Sequence, residues 1–155
     1  MLREIGLDRI RANLEELGLA AIGTLLAFGG AFGPWIGATD DAFSGGSDTA
    51  YGIQLDEGKL VLLLALVAGY ALIRFASGAE PLALLAVLAM GLAVGLTAIA
   101  EIVSIQEGLS SRWGLWLVGA GGLGMTLGAL LVANVRSGEA WDTERRDGAQ
   151  EDRER

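Results

Sequence analysis

Three glycines near the C-terminal end of the chain, Gly119, Gly121 and Gly124, have the Gly-x-Gly-x-x-Gly spacing of a dinucleotide-binding turn. Such a turn needs a β-strand before it, a helix after it, and an acidic residue about 20 positions further on that ends a second strand. Here an apolar run precedes the motif and a charged tail follows it, so no second strand remains to carry the acid. We therefore interpret these glycines as part of an apolar helix and expect no nucleotide as a partner.

Most side chains that carry catalysis are missing from this chain. Cysteine and histidine are both absent, which removes the usual thiolate nucleophile, the usual general base and the commonest metal ligand. We assign no catalytic, cofactor-binding or metal-binding residue, and we expect a protein that is not an enzyme. The net charge of −8 argues against nucleic acid as a partner, because phosphates need basic patches. An acidic composition with a single lysine is also typical of a halophilic prokaryote.

Glu101 is the carboxylate that lies clearly inside an apolar run. One hypothesis makes it an ion or proton site, because an acid within a membrane segment is costly unless it has a function. The competing interpretation, which we prefer, is an interfacial residue that reaches water or pairs with Arg112. Thr24, Thr97 and Thr126 are weak candidates for a polar transport path.

Charged residues are confined to a few segments; none occurs, for example, between Leu17 and Thr39. A bilayer selects this segregation, because a charge at its centre costs at least ~2.5 kcal/mol. Four apolar stretches are about as long as a membrane-spanning helix: residues 17–36, 59–76, 81–103 and 114–135. The predicted fold class is an all-α membrane protein, a four-transmembrane-helix bundle. The lipid bilayer is therefore an expected partner of the chain.

The distribution of basic residues predicts the orientation of these spans. Nine of the 11 lie in the N-terminal segment, the 74–80 turn and the C-terminal tail. The positive-inside rule therefore predicts a multi-pass cell-membrane protein with both termini cytoplasmic, and Trp35, Trp113 and Trp116 as outer interfacial anchors.

The two ends of the chain lie outside the transmembrane domain, residues 17–135. Residues 1–16 form a cytoplasmic amphipathic segment, for which an interfacial helix and an extension of the first span remain open. Residues 136–155 are nearly all polar, and we expect a disordered cytoplasmic tail there.

Each predicted span carries small residues four positions apart, a spacing that lets helix backbones approach closely in lipid. These helix-packing residues are Gly29, Gly33, Gly37, Ala65, Gly69, Gly91, Gly95, Gly124 and Gly128. They predict a compact bundle with little central void, and a homo-oligomer that uses a spare stripe remains open beside it.

The first outer loop, residues 37–58, is the longest connection between spans. Tyr51, Ile53 and Leu55 alternate as on one face of a strand, and the stretch WIGAT supplies an opposing strand, which predicts a small extracellular β-hairpin. Asp40 and Asp41 add charge to the loop, as solvated surface residues rather than as a calcium loop, whose spacing they do not match. We take these five residues as the outer-loop interaction residues.

The stretches PW, DEGKLVLLLAL and GLWLVGAGG, in spans one, two and four, resemble uncharacterised four-span membrane proteins of actinobacteria and archaea. The layout is also similar to that of claudins and related tetraspan proteins, with both termini inside and a β-bearing first outer loop. Claudins carry Gly-Leu-Trp and two cysteines in that loop, whereas here the loop has no cysteine and Gly-Leu-Trp begins at Gly114. The resemblance implies topology and a role in cell adhesion.

The sequence favours a non-enzymatic structural or cell-surface interaction protein that acts through its first outer loop. A small transporter or channel that uses Glu101 is the alternative, together with an accessory subunit of a larger membrane complex. Other membrane proteins or further copies of the chain are the expected protein partners.

Overall fold

The computed structural model describes residues 2–38, 49–77, 81–105 and 109–154. These residues form four α-helices, three short strands and one 3-10 helix. In chain order the elements are α1 (Leu2–Phe32), β1 (Pro34–Ala38), β2 (Ala50–Tyr51), the 3-10 helix (Gly52–Gln54), α2 (Asp56–Ala76), α3 (Pro81–Ser104), β3 (Leu109–Ser111) and α4 (Trp113–Glu154). The mostly helical class predicted from the sequence is confirmed, and so is the presence of a small β-structure.

The first helix ends four residues before the predicted end of its span. Pro34 lacks an N–H, and its ring disfavours helical geometry at the preceding residue, so α1 stops at Phe32. The Gly33 N–H closes the last turn on the Gly30 carbonyl at 3.0 Å. Residues from Pro34 onward then form β1 instead of a further helical turn.

The four helices pack as a square, in which each helix contacts its two neighbours along the chain and α4 closes the ring against α1. The α1–α4 and α3–α4 pairs are the most extensive, and the diagonal pair α1 and α3 barely touches. Successive helices run in opposite directions, as in an up-and-down bundle. Because α4 joins the two closest pairs, it is the most enclosed of the three long apolar helices.

The interior of the bundle is built mainly from small side chains, and the large apolar ones lie outside. Alanines such as Ala20, Ala27 and Ala68 are fully buried along the helix contacts. Met125 and Phe75 are among the few large side chains inside, whereas leucines and isoleucines on all four helices point outward. This distribution is the reverse of the one that a water-soluble core requires.

The β-structure is a three-stranded antiparallel sheet in the order β2-β1-β3. The predicted pairing of the WIGAT stretch with the segment after it is present as β1 with β2, where Ile36 lies opposite Ala50. β3 comes from the connection between α3 and α4, with Ile36 opposite Ser111, and was not predicted from the sequence. The β1–β2 hairpin therefore forms one sheet with β3, and this sheet links the α1–α2 connection to the α3–α4 connection.

The predicted alternation of Tyr51, Ile53 and Leu55 along one strand is wrong. The strand ends at Tyr51, Ile53 belongs to the 3-10 helix, and Leu55 is the N-cap of α2. The chain turns here because Gly52 lies directly against the Ala31 carbonyl, where a Cβ would come to 2.5 Å. Backbone contact with α1 therefore ends the strand and starts α2.

The terminal segments continue the first and last helices. α1 is one helix from Leu2, in agreement with either interpretation of residues 1–16. α4 extends to Glu154, through the segment for which we expected disorder. Residues 136–154 contain no proline, and their four glutamates and four arginines have high helix propensity, so the helix continues through Gly138 and Gly148.

Candidate functional site

Glycines hold α1 and α4 in backbone contact, and we call this contact the glycine interface (Gly23 and Gly30 on α1, with Gly33 directly after it; Gly114, Gly121, Gly124 and Gly128 on α4). A Cβ on Gly121 would lie 2.5 Å from the Ala27 nitrogen, and one on Gly30 would lie 2.7 Å from the Gly114 oxygen. Real Cβ atoms essentially never come that close to backbone atoms. Any larger residue at these positions would therefore push the helices apart.

The motif that resembles a dinucleotide-binding turn lies where α4 meets two helices. Gly121 and Gly124 face α1, and Gly122 faces α3, where a Cβ would come within 2.5 Å of the Gly95 nitrogen. Gly119 makes a looser contact, with 3.6 Å between its hypothetical Cβ and the Ala98 Cβ. The motif sits in mid-helix, without the strand and turn that a pyrophosphate site requires.

The helix-packing residues predicted from the sequence fall into two groups. Those against a neighbouring element are Gly33, Ala65, Gly69, Gly91, Gly124 and Gly128, with Gly69 only in ordinary van der Waals contact with the Thr24 methyl group at 3.8 Å. The Gly95 backbone lies against Gly122, although a Cβ on Gly95 itself would meet nothing within 4 Å. Gly37 lies in β1 under the Arg112 side chain, and Gly29 faces open space. These last two therefore do not pack helix on helix.

A spacing of four missed several glycines at the closest contacts. Gly23 and Gly30 on α1 are seven residues apart, and so are Gly114, Gly121 and Gly128 on α4. Seven residues return to the same face of a helix that packs with a left-handed crossing of about +20°, the commonest packing of membrane helices. The repeat of glycines every seven residues on both helices was thus the sequence signal that could have located this interface.

The sheet and its flanking turns form a cap over one end of the bundle, and we define the cap as residues 33–38, 49–55 and 109–112. Trp35, at its centre, is completely buried, so the predicted role of Trp35 as an interfacial anchor is wrong. Its backbone carbonyl accepts the Arg112 N–H at 2.8 Å. The neighbouring Gly33 carbonyl accepts the Gly52 N–H at 3.0 Å, so all three segments of the cap are joined by hydrogen bonds.

Arg112 is buried within the cap, with only 7% of its surface exposed. Its guanidinium lies over Gly37, where a Cβ would come to 2.7 Å from one terminal nitrogen. A salt bridge of 2.8 Å joins Lys59 and Asp56 at the start of α2. The interpretation that Glu101 pairs with Arg112 stays a prediction. Glu101 stays half-buried near the end of α3.

The threonines proposed for a transport path use their hydroxyl groups within their own helices. The Thr24 hydroxyl donates to the Ala20 carbonyl at 2.9 Å, Thr97 to Ala93 at 3.0 Å, and Thr126 to Gly122 at 2.9 Å. Thr24 and Arg112 are the buried polar residues in the described part of the chain. Over that part, no cluster of three His, Cys, Asp or Glu side chains could hold a metal ion.

Three of the five outer-loop interaction residues lie in the part of the chain that the structure describes. Asp40 and Asp41 lie outside the described residues. Tyr51 and Ile53 are exposed on the cap, at 38% and 39%, whereas Leu55 is partly buried against the bundle core. Trp113 and Trp116 are exposed beside the cap, and the Trp116 indole donates to the Ser111 hydroxyl at 3.1 Å. The structure therefore brings exposed aromatic and aliphatic side chains to the cap end of the bundle.

No family model matches this chain, and searches of curated proteins and of solved structures also found no match.

Proposed function

We propose that this chain is an integral membrane protein that spans the bilayer four times and acts, without catalysis, as a structural or interaction protein through its cap and first outer loop. The observation that carries the membrane assignment is the apolar outer surface of the bundle. Leu25, Tyr70 and Leu123, on three different helices, are each more than 60% exposed. Exposed apolar surface on this scale marks contact with lipid or with other proteins.

The helix lengths support the same assignment. Asp56–Ala76, Leu82–Ser104 and Trp113–Asn134 are each long and apolar enough to cross a membrane. At 1.5 Å per residue, about 20 residues cover a hydrocarbon core of roughly 30 Å. The apolar part of α1, Leu17–Phe32, is shorter. We include it as a span because α1 packs against α4 through the whole glycine interface, and β1 prolongs its path.

The packing of the bundle supports an interaction role over a transport role. Its core is built mainly from alanine, valine and leucine side chains, and the three threonine hydroxyls are bonded within their own helices. A transport path needs polar or ionisable groups near the midplane. Glu101 lies near the cap end of α3, away from the midplane. It is therefore a weak candidate for the ion site that the transporter or channel alternative needs.

The cap is the part of the molecule suited to meet a partner. It is anchored through Trp35 and Gly52 to the end of α1, so it presents a fixed surface rather than a loose loop. A claudin-like role in cell-surface contact, with both termini cytoplasmic, is the form of this function that the sequence resemblance favours.

Two measurements test the proposal separately. Extraction of host membranes with alkaline carbonate should leave the full chain in the pellet; release into the supernatant would refute the membrane assignment. Crosslinking in intact cells should give adducts that are lost when Asp40 and Asp41 are changed to Lys, with Asp56→Lys, in the first turn of α2, as the matched control outside the 39–48 segment. Adducts that survive the double change, or that never form, would contradict a role for the loop.

An accessory-subunit role predicts a different result. Gentle detergent extraction would then co-purify larger membrane proteins, and the contacts would map to the exposed faces of the helices rather than to the cap.

A further inference from the structure

A groove of about 400 Å³ lies between α1 and α2, in the half of the bundle away from the cap. Leu17, Ala21 and Leu25 line it on α1, and Gly69, Ile73 and Ser77 line it on α2. The groove is open because α1 packs most closely on α4, on its other side. At Gly69 a Cβ would meet only the Thr24 methyl group, at 3.8 Å.

The groove presents an apolar wall to its occupant. The Thr24 hydroxyl donates to the Ala20 carbonyl at 2.9 Å, and the Ser77 hydroxyl donates to the Ile73 carbonyl at 2.8 Å. Both side-chain donors are therefore already used within their own helices. The volume falls in the range of roughly 300–1,000 Å³ that is typical of small-molecule sites. An apolar chain fits such a site better than a polar ligand.

The length of the groove matches one leaflet of a bilayer. From Leu17 to Leu25, α1 rises about 12 Å at 1.5 Å per residue. Half of a hydrocarbon core of roughly 30 Å is about 15 Å. The groove therefore extends from the membrane boundary at Leu17 and Ser77 to near the midplane at Leu25 and Gly69.

An arginine follows the lining of the groove at its boundary end. Arg74, which is not itself a lining residue, is exposed on the last turn of α2, between Ile73 and Ser77 in the sequence. The acidic residues of α2, Asp56 and Glu57, are in its first turn, at the opposite end of the helix. A second groove, of about 360 Å³ between α3 and α4, has a described lining of leucine and alanine alone. Neither described lining contains a charged side chain, but Arg74 follows the lining residue Ile73 on α2, where it can meet an anionic headgroup at the membrane boundary.

We propose, on the basis of the membrane function above, that this groove binds one acyl chain of an anionic phospholipid, whose headgroup phosphate pairs with Arg74. The acyl chain lies along Ala21 and Gly69 and covers the gap between α1 and α2. The lipid thereby takes the place that a close helix contact takes on the α1–α4 side. The site is selective for anionic headgroups because an arginine–phosphate pair is charge-assisted.

Native mass spectrometry of the full chain, purified in detergent and mixed with equal amounts of phosphatidylglycerol and phosphatidylcholine, tests this site. The wild type should retain one phosphatidylglycerol per chain. Gly69→Leu should lose the lipid because its side chain fills the groove. Gly29→Leu is the matched control, since Gly29 faces open space and its variant should bind as the wild type does. Arg74→Gln should reduce the preference for phosphatidylglycerol about tenfold, the loss of one charge-assisted hydrogen bond.

Several outcomes would overturn the proposal. They are equal lipid retention by Gly69→Leu and the wild type, equal binding of the two lipids by the wild type, or a lipid-free dimer in which a second copy covers the groove. If Gly69→Leu melts well below the wild type, Ala21→Leu on the opposite wall replaces it, with the same expected loss. A chain that stays in the membrane pellet but shows no lipid preference refutes this site alone. A chain released by carbonate refutes the membrane function as well.

Discussion

The indole Nε1 of Trp35 donates a hydrogen bond of 2.9 Å to the backbone carbonyl of Gly30. Gly30 belongs to the last turn of α1, and its carbonyl also accepts the Gly33 N–H at 3.0 Å. Trp35 is thus a second donor to this carbonyl, from the central strand of the cap, while its ring is completely buried. One side chain therefore joins the end of a helix, the sheet and the bundle core.

Replacement of Trp35 by Phe should lower the stability of the protein by about 1–3 kcal/mol, since it removes the hydrogen bond to Gly30 and leaves a cavity. The measurement is the melting temperature of the purified protein in detergent, followed by circular dichroism. Trp116→Phe is the control because that ring is 59% exposed. Equal melting temperatures for both variants would show that the Trp35 contact does not hold the cap.

Replacement of Gly121 by Ala should destabilise the bundle, because the new methyl group would overlap the Ala27 nitrogen in α1. Overpacking of this kind costs about 1–3 kcal/mol. Gly29→Ala, on the open face of α1, should leave the melting temperature unchanged or slightly higher. If Gly121→Ala proved as stable as Gly29→Ala, the close approach of α1 and α4 would be in doubt.

The sequence predicted the helices well because their signal is local. A run of apolar residues without charge is visible in every stretch that became a helix, and Pro34 marks the end of the first one. The spacing of small residues also indicated tight packing, although the closest contacts follow a spacing of seven at Gly114, Gly121 and Gly128. Which helix each glycine meets depends on the arrangement of the bundle, and no single segment encodes it.

The cap was predicted less completely because it is made of long-range contacts. β3 contains three residues, Leu109–Ser111, too few to show an alternating pattern, and it exists through its pairing with β1. The burial of Trp35 and Arg112 follows from that pairing. The end of β2 at Tyr51 follows from the contact of Gly52 with α1, which is again distant in sequence.

The orientation can be measured with single cysteines, because the natural chain contains none. Under the positive-inside rule, Ser47→Cys in the first outer loop should react with a membrane-impermeant maleimide in intact cells. Ser137→Cys, beyond the last span, should react only after the cells are permeabilised. Labelling of residue 137 alone in intact cells would invert the orientation, and labelling of both would mean that the number of spans between them is even.

Glu101→Gln should have no effect on ion movement, because the described part of the bundle contains no continuous polar path that would need this carboxylate. The protein is reconstituted into liposomes that hold a pH-sensitive dye, and proton entry is followed after a potential is applied. Wild type and Glu101→Gln should both match liposomes without protein. Thr126→Val is a second control, since its hydroxyl donates to Gly122 within the same helix and does not line a path. Proton entry above background that Glu101→Gln abolishes would favour the transporter alternative, and the half-buried carboxylate near the end of α3 would then be the ion site.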